Sequence, residues 1–525
     1  MISDLRERAS AQRLHTQVCI IGSGPAGLMA ARVLSQRGVG SVLLESGGDA
    51  FDDRLHGLSA VEQRSKPNSG VSEMRYRAFG GAATRWGGQV LPFFPMDMAA
   101  RPWLGLDSWP VAFGDLAPHY EAALDFFGLG AVLRRDADLW AKWGLAEPRY
   151  GDELPTYSSW WCPVADMGAL HRSSTEADRN IDCILGATVT AIALENDRIG
   201  HVTARNLRGD LLEVSADHFV FATGAVEVAR LLLQPLADGS DPPWARSGIL
   251  GGYFQDHPAC IAGVVRPTDP RRFRRRWLTF RDSRIKYQPR VRLSDAMQRE
   301  RETLNVGGIV LPKSNDLPLI EAMRSAGAGL LRGRVRREAL ATVAKRPVRA
   351  ASLAAEQAWE YLVRKRGPNP ADAGFELGVA LEQLPVSGNR ISLTDERDAF
   401  GQRRAALAWS ISDAEVRTVA VFAERFDAAM RAQGLGTLDI APDVLVPDGA
   451  LKGRLHDQGH HIGTARMGRS ARDGVVDADL RLFAVPNGHV ASAAAFPTSS
   501  FSNPTHTIVA FAHRLGEHLA REYAR

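Results

Sequence analysis

The stretch QVCIIGSGPAGLMAARVLSQRGVGSVLLESG, residues 17–47, constrains the fold more than any other part of the chain. It opens with Val18–Ile21, a short apolar run of the kind that forms a strand buried on both faces. Gly22, Gly24 and Gly27 follow at G-x-G-x-x-G spacing, and Pro25–Gln36 has the spacing and composition of a helix. Ser41–Leu44 is a second apolar run, closed by Glu45. Each residue type has a task. Gly22 permits the tight strand-to-helix turn, Gly24 lets a pyrophosphate approach the backbone, and Gly27 lets the helix pack closely on the strand. The helix start at Pro25-Ala26 offers free N–H groups and the positive end of the dipole to phosphate. Glu45, 18 residues past the last glycine, is placed to accept hydrogen bonds from a ribose. The stretch predicts a doubly wound, Rossmann-like α/β domain holding a dinucleotide, and the motif by itself fits NAD or FAD.

At about 100–200 residues per domain, 525 residues suggest two or three domains, or one large domain with a partner layer. With 64 basic and 60 acidic residues the net charge is +4, too balanced to indicate nucleic acid. The four cysteines form no C-x-x-C pair, so no zinc or iron–sulfur site, and no other metal, is expected. The N-terminal MISDLRERASAQRLHT lacks the apolar core of a signal peptide. No run of about 18 apolar residues is present. The expected location is the cytoplasm.

A second glycine-rich loop, FGGAATRWGG at 79–88, contains Gly80, Gly81, Thr84, Arg85, Trp86 and Gly87. Its glycine density suits close backbone approach to something flat or charged; the alternative is a plain surface loop. ILGATVTAIAL and IGHVTARNL alternate as strands around a turn at Glu195–Arg198. DHFVFATGA, residues 217–225, is a buried strand with a small-residue turn, and the helix VEVARLLLQ follows at once. These distant pieces predict one discontinuous nucleotide domain from 1–95, 165–255 and 450–525. Segments 96–164 and 256–449 then form a substrate domain, with a mixed or antiparallel sheet flanked by helices, making the whole α/β (α+β overall). Within it, residues 375–409 read as strands of a mixed sheet and Asp413–Arg431 as a helix on one side. Residues 324–366 carry eleven Lys or Arg against Glu338, Glu356 and Glu360, with helical composition broken near Pro347. They are either solvated surface helices or a contact for an anionic surface, such as a membrane or a phosphorylated carrier.

Toward the C-terminus stand GHHIGTARMG, residues 459–468, and FPTSSFSNPTHT, residues 496–507. Asn503 suits a helix N-cap, with Pro504 in the first turn. Together with the 17–47 motif, the 79–88 loop, FATGAVEVARLLL, GGYFQDHP and LEQLPVSGNRISL, these stretches resemble the glucose–methanol–choline (GMC) family of flavin oxidoreductases, in matching order along nearly the whole chain. The resemblance implies FAD. It also implies that His460, followed after two residues' spacing by Gly463-Thr464, is the catalytic base, paired with Asn503 at the flavin. It places Val189, Ala222, Gly224, Ser492 and Thr505 at the cofactor, with Ser492 standing where many members have Asp. His461 falls on a variable position and is expected to pack. Arg85 stands where several relatives tether FAD through histidine, and arginine cannot form that bond, so FAD is expected to be non-covalent.

The pattern is most similar to the branch of pyranose oxidases and sugar dehydrogenases. That branch implies oxidation of a secondary alcohol on a sugar or glycoside to a keto-sugar. His460 takes the hydroxyl proton and the hydride goes to flavin N5, with oxygen or a quinone-like carrier as final acceptor. Gln383, in LEQL, is the candidate substrate contact beside His460. Oxidation of a non-sugar alcohol, and a redox-silent flavoprotein with a lyase-like or binding role, remain the alternatives.

Overall fold

The computed structural model describes residues 1–8, 12–132, 136–142, 144, 147, 149–277, 279–282, 284–331, 337–362, 372–446 and 449–524. The apolar runs near the N-terminus are strands, Gln12–Ile21 and Ser41–Leu44, with the helix Pro25–Gln36 between them. Their crossover forces parallel pairing, and Val18–Ile21 lies beside Ser41–Leu44. Outward from there the sheet adds Ile181–Leu185 and Ile2–Asp4 on one side, both parallel. On the other side come Leu211–Phe221, parallel, and then the hairpin Arg198–Arg205 and Thr188–Glu195. The hairpin turns through Asn196 and Asp197, both at positive φ (49° and 60°), as a two-residue turn between twisted strands requires. Gly488–Val490 pairs in parallel with the end of Leu211–Phe221. Segments from the start, middle and end of the chain thus share one sheet.

A second sheet is antiparallel and runs Gly436–Ile440, Ala259–Pro267, Gly374–Leu381, Val306–Lys313, Ile285–Arg292, Thr156–Trp161 and Gln89–Val90. The helix Asp413–Ala432 lies against it, and Phe422 fills the space over Gly308, where a Cβ would come within 2.5 Å of the ring. Two sequence expectations need correction here. Gln89–Val90, assigned to the nucleotide domain, pairs with Trp160-Trp161 in this antiparallel sheet. Residues 375–409 do not form one mixed sheet. Gly374–Leu381 is central in the antiparallel sheet, whereas Arg390–Arg397 and Arg403–Ala408 join Val61–Gln63 in a separate three-stranded one. Alternation marks a half-buried strand, but it does not name the strand's partner.

Between the adjacent strands Val306–Lys313 and Gly374–Leu381 the chain makes a helical excursion: Leu317–Leu331, Arg337–Ala344 and Pro347–Leu362. The break at Pro347 falls where proline is tolerated, at a helix start. The four cysteines are buried and free. No helix among the described residues is long and apolar enough to cross a membrane.

Candidate functional site

The C-terminal ends of the parallel strands open into a cavity of about 560 Å³. The turn after Gln12–Ile21 forms its floor. Gly22 sits at φ +102°, and a Cβ on Gly27 would lie 1.9 Å from the Gly22 carbonyl oxygen, so the helix can approach the turn only with glycine there. A Cβ on Gly24 would meet nothing within 4 Å, which leaves its backbone open to a ligand at the start of helix Pro25–Gln36. The second glycine loop meets the first: a Cβ on Gly81 would come 2.9 Å from the Gly24 Cα.

The cavity wall contains Gly22, Gly24, Pro25, Ala26, Glu45 and Gly81, then Arg85, Trp86 and Gly87, then Val189, Ala222, Gly224, Ser492 and Thr505. Gly27, Gly80 and Thr84 stand behind it. Thr84 Oγ1 donates to the Gly81 carbonyl (2.9 Å), and Gly80 packs on Gly168. Glu45 is buried, and its carboxylate accepts from Ser23 N (2.9 Å), Ser23 Oγ (2.7 Å) and Gly47 N (2.8 Å). Burial pushes its pKa up while these donors pull against it. Three bonds leave part of the carboxylate's acceptor capacity for a ribose. Thr223 Oγ1 is buried at the wall with no protein partner. Arg85 lies over the rings of Phe51 (4.3 Å) and Tyr76 (5.0 Å), so its cation is held at the wall by aromatic faces.

A charged cluster that the sequence reading did not name also lines the cavity. Glu227 bonds Arg75 (3.0 Å), Arg77 (2.9 Å) and Arg230 (2.9 Å), and Arg230 bonds Asp398 (2.5 Å). Burial opposes ionisation of Glu227, but Arg77, Arg230 and Arg75 hold its carboxyl well below the usual range. Arg75 and Arg77 come from a segment with no local motif and Arg230 from FATGAVEVARLLL, so only the fold brings them together. The open glycine turn, the free helix start, the acid at the second strand's end and this cationic wall fit FAD.

The corner around His460 meets the same cavity. Gln255 and Ile462 exchange two backbone hydrogen bonds of 2.9 Å, which sets the segments 255–257 and 460–462 side by side. Thr464 holds a left-handed φ of 84°, fastened by its Oγ1 to the Ala225 carbonyl (2.8 Å). His460 Nδ1 is 3.0 Å from His257 Nδ1, and His257 Nε2 is 3.1 Å from the Ser499 carbonyl oxygen. The carbonyl only accepts, so His257 carries its proton on Nε2. Its Nδ1 is therefore a lone pair, and His460 must donate from Nδ1. That leaves His460 Nε2 unprotonated, and Asn503 Nδ2 donates to it at 3.3 Å. Burial lowers the His460 pKa to about 4, so the ring is neutral at pH 7. Burial, and the His460 ring beside it, take His257 well below its ordinary value as well.

Asp256 holds the backbone of this corner. Its Oδ1 accepts from His257 N (2.7 Å), His460 N (3.0 Å) and Gln458 N (3.2 Å), and its Oδ2 from Asn68 Nδ2 (3.1 Å). Burial pushes its pKa up to about 6. Asp256 and His257 belong to GGYFQDHP, which the sequence marks only as a family stretch. The D-H pair was the available signal.

Two sequence expectations differ from the structure. Gln383 is not a substrate contact. It is 1% exposed, its Oε1 accepts from Asp256 N and Trp409 Nε1 (2.9 Å each), and its Nε2 donates to the Ser410 carbonyl (2.8 Å). Its amide positions Asp256 instead. Asn503 is not the helix N-cap. Pro504 caps Thr505–Tyr523, and the freed Asn503 side chain turns to His460. His461 is buried against Phe254 (ring centroids 5.9 Å), and its Nε2, 4.0 Å from Asp256, makes no hydrogen bond. Among the described residues no group of three or more His, Cys, Asp or Glu could hold a metal.

Comparison with known proteins agrees with this architecture. Residues 385–512 match the GMC oxidoreductase model, and residues 15–59 match an FAD binding domain. The protein is an FAD-dependent oxidoreductase acting on CH–OH donors, and its C-terminal part is similar to GMC oxidoreductases. Along 97% of its length it is 23% identical to 2-methyl-1,2-propanediol dehydrogenase from Mycolicibacterium austroafricanum, 96% of which is covered. Among solved structures, pyridoxine 4-oxidase from Mesorbium loti shares the fold at a TM-score of 0.56 and 16% identity, over 97% of this chain and 99% of that one. A formate oxidase does so at 0.57 and 14% identity, over 98% and 100%.

Proposed function

We propose that the protein oxidises a carbinol, with His460 as the base that takes the hydroxyl proton and Asn503 as the group that holds the carbinol oxygen. The observation that carries this is the ordered ring of His460: neutral, with its Nδ1 proton committed to His257 and its Nε2 lone pair turned toward Asn503. A hydroxyl entering between Nε2 and the amide donates to the first and accepts from the second. FAD, when bound, supplies the two-electron acceptor for the carbinol hydride. The protein's contribution is then orientation and proton removal. His257 is a positioning residue, because it sets which nitrogen of His460 is free. FAD is held without a covalent bond to Arg85, whose guanidinium stacks on Phe51 and Tyr76.

The first reading of the substrate is a sugar or glycoside whose secondary alcohol becomes a ketone, supported by HHIGTARMG and FPTSSFSNPTHT. A non-sugar alcohol is the second reading, favoured by likeness to proteins named for a diol and for pyridoxine. Oxygen or a quinone-like carrier takes the electrons onward, and contact of 324–366 with an anionic surface belongs to the same reading. The test is anaerobic mixing of the purified flavoprotein with sugars, glycosides, diols and hydroxymethyl-pyridines while flavin absorbance is followed. Bleaching by a sugar supports the first reading, and bleaching by a diol or pyridine alone replaces it with the second. No bleaching by any alcohol overturns both.

A further inference from the structure

The helical excursion 317–362 is unlike the rest of the surface. Of the twelve exposed large apolar residues among the described ones, five stand here: Leu317, Leu340, Val348, Trp359 and Leu362; elsewhere only Leu445 and Val446 adjoin. Three of them align. On Pro347–Leu362, at 100° per residue, Val348, Ser352, Ala355, Trp359 and Leu362 fall within about 40° of one line. Val348 is 84%, Trp359 57% and Leu362 63% exposed. The opposite face holds Ala350 and Leu353, which are buried against Leu319 and Ile320 of the first helix. The helix therefore buries one apolar face in the excursion and presents a second apolar line outward, uncovered.

The sequence of this stretch is basic on balance. Residues 324–366 hold eleven Lys or Arg against three Glu, which leaves 53 basic and 57 acidic residues in the rest of the chain. All the net positive charge of the protein thus lies in this excursion. Lys345 and Arg346 are exposed just before the helix, and Arg364, Lys365 and Arg366 follow it in sequence. An apolar line of about four turns, with Lys345 and Arg346 just before it and a basic run following it in sequence, is suited to lie in the plane of a bilayer. The side chains then enter the acyl boundary, while lysines and arginines meet the headgroups. A second copy of this chain fits the face poorly, because it would bring two strongly cationic segments together. None of the helices concerned is long and apolar enough to span.

We propose that the outer face of Pro347–Leu362 docks the protein onto an anionic lipid surface, with Val348, Trp359 and Leu362 inserted and the surrounding cations on the headgroups. This rests on the proposed oxidoreductase reading only for its purpose, not for its test.

The test is co-sedimentation of the FAD-loaded protein with vesicles of phosphatidylglycerol and phosphatidylcholine, against vesicles of phosphatidylcholine alone, at low and high salt. Binding to the anionic vesicles that weakens with salt is expected. The variant Val348→Glu/Trp359→Glu/Leu362→Glu should bind about tenfold or more weakly, since it removes the inserted area and adds repulsion. Its flavin content and substrate-driven bleaching should be unchanged. Trp359→Phe should keep binding but lose part of the quenching by brominated lipid. Absence of binding to anionic vesicles overturns the proposal, as does equal binding by the triple variant. Sedimentation velocity that finds a dimer in the wild type and a monomer in the triple variant would assign the face to a second copy. Because vesicle binding and flavin bleaching are separate readings, loss of one does not obscure the other.

Discussion

The cavity floor and the corner around His460 belong to one site and are built in opposite ways. The floor is made of backbone. A strand, a glycine turn and a helix start come from one continuous stretch of about thirty residues, and the packing of Gly27 on Gly22 is local. The corner is made of side chains from remote segments. His257 and His460 are 203 residues apart in the chain, and Asn503 reaches His460 across another 43. The difference teaches where each part is vulnerable. Damage to the floor removes the cofactor, whereas damage to the corner leaves a loaded but slow enzyme.

The comparison breaks most visibly at Gly27. Gly27→Val forces a side chain into the Gly22 carbonyl, and purified protein should carry no flavin absorbance. Flavin retained at normal stoichiometry would show that the floor tolerates far more than its geometry allows. Next in size, His460→Ala should keep FAD but slow anaerobic bleaching about 10²–10⁴-fold, the usual contribution of a positioned base.

His257 sharpens the contrast, since it does not line the cavity and meets His460 from behind. His257→Ala leaves the His460 Nδ1 proton without an acceptor, a buried loss of about 1–3 kcal/mol, so kcat should fall about tenfold with KM nearly unchanged. His257→Gln, which offers an amide oxygen, should restore part of the rate; equal rates in the two variants would make the contact structural only. The pH profile separates the corner from an exposed histidine. Protonated His460 has no lone pair for the substrate, and burial lowers its pKa to about 4. For the free enzyme kcat/KM should therefore stay level through pH 6.5 and fall only near about 4, where an exposed imidazole would already be half protonated at about 6.5. Smallest is Gln383→Leu. It strips partners from Asp256 N and Trp409 Nε1 and should lower stability by about 1–3 kcal/mol in a melting experiment, with bleaching by substrate retained.

The same division explains what the sequence made legible. The floor was readable because a turn, a phosphate approach and a helix start each demand glycine at a set spacing. The second glycine loop was readable for the same reason. His460 and Asn503 carried no such local demand, and they were found through a family resemblance rather than through physics. Asn503 even looked like a helix cap, because Asn before Pro is good cap chemistry, and only the long-range contact to His460 takes its side chain elsewhere. Gln383 looked available for substrate because a lone amide in a motif does not reveal its partners. Pairing of remote strands was the least legible, and so Gln89–Val90 and Arg390–Ala408 joined sheets that their patterns could not name. The arginines around Glu227 were silent for the same reason.

The inward path from His460 ends at the Ser499 carbonyl oxygen. A proton arriving at Nε2 can be shared between the two rings, but a carbonyl cannot carry it further, so the pair is a cul-de-sac and not a conduit. Whatever His460 collects must leave by the side on which it came. On the proposed role of His460, recharging the base is thereby tied to departure of the product, and substrate and proton use one doorway.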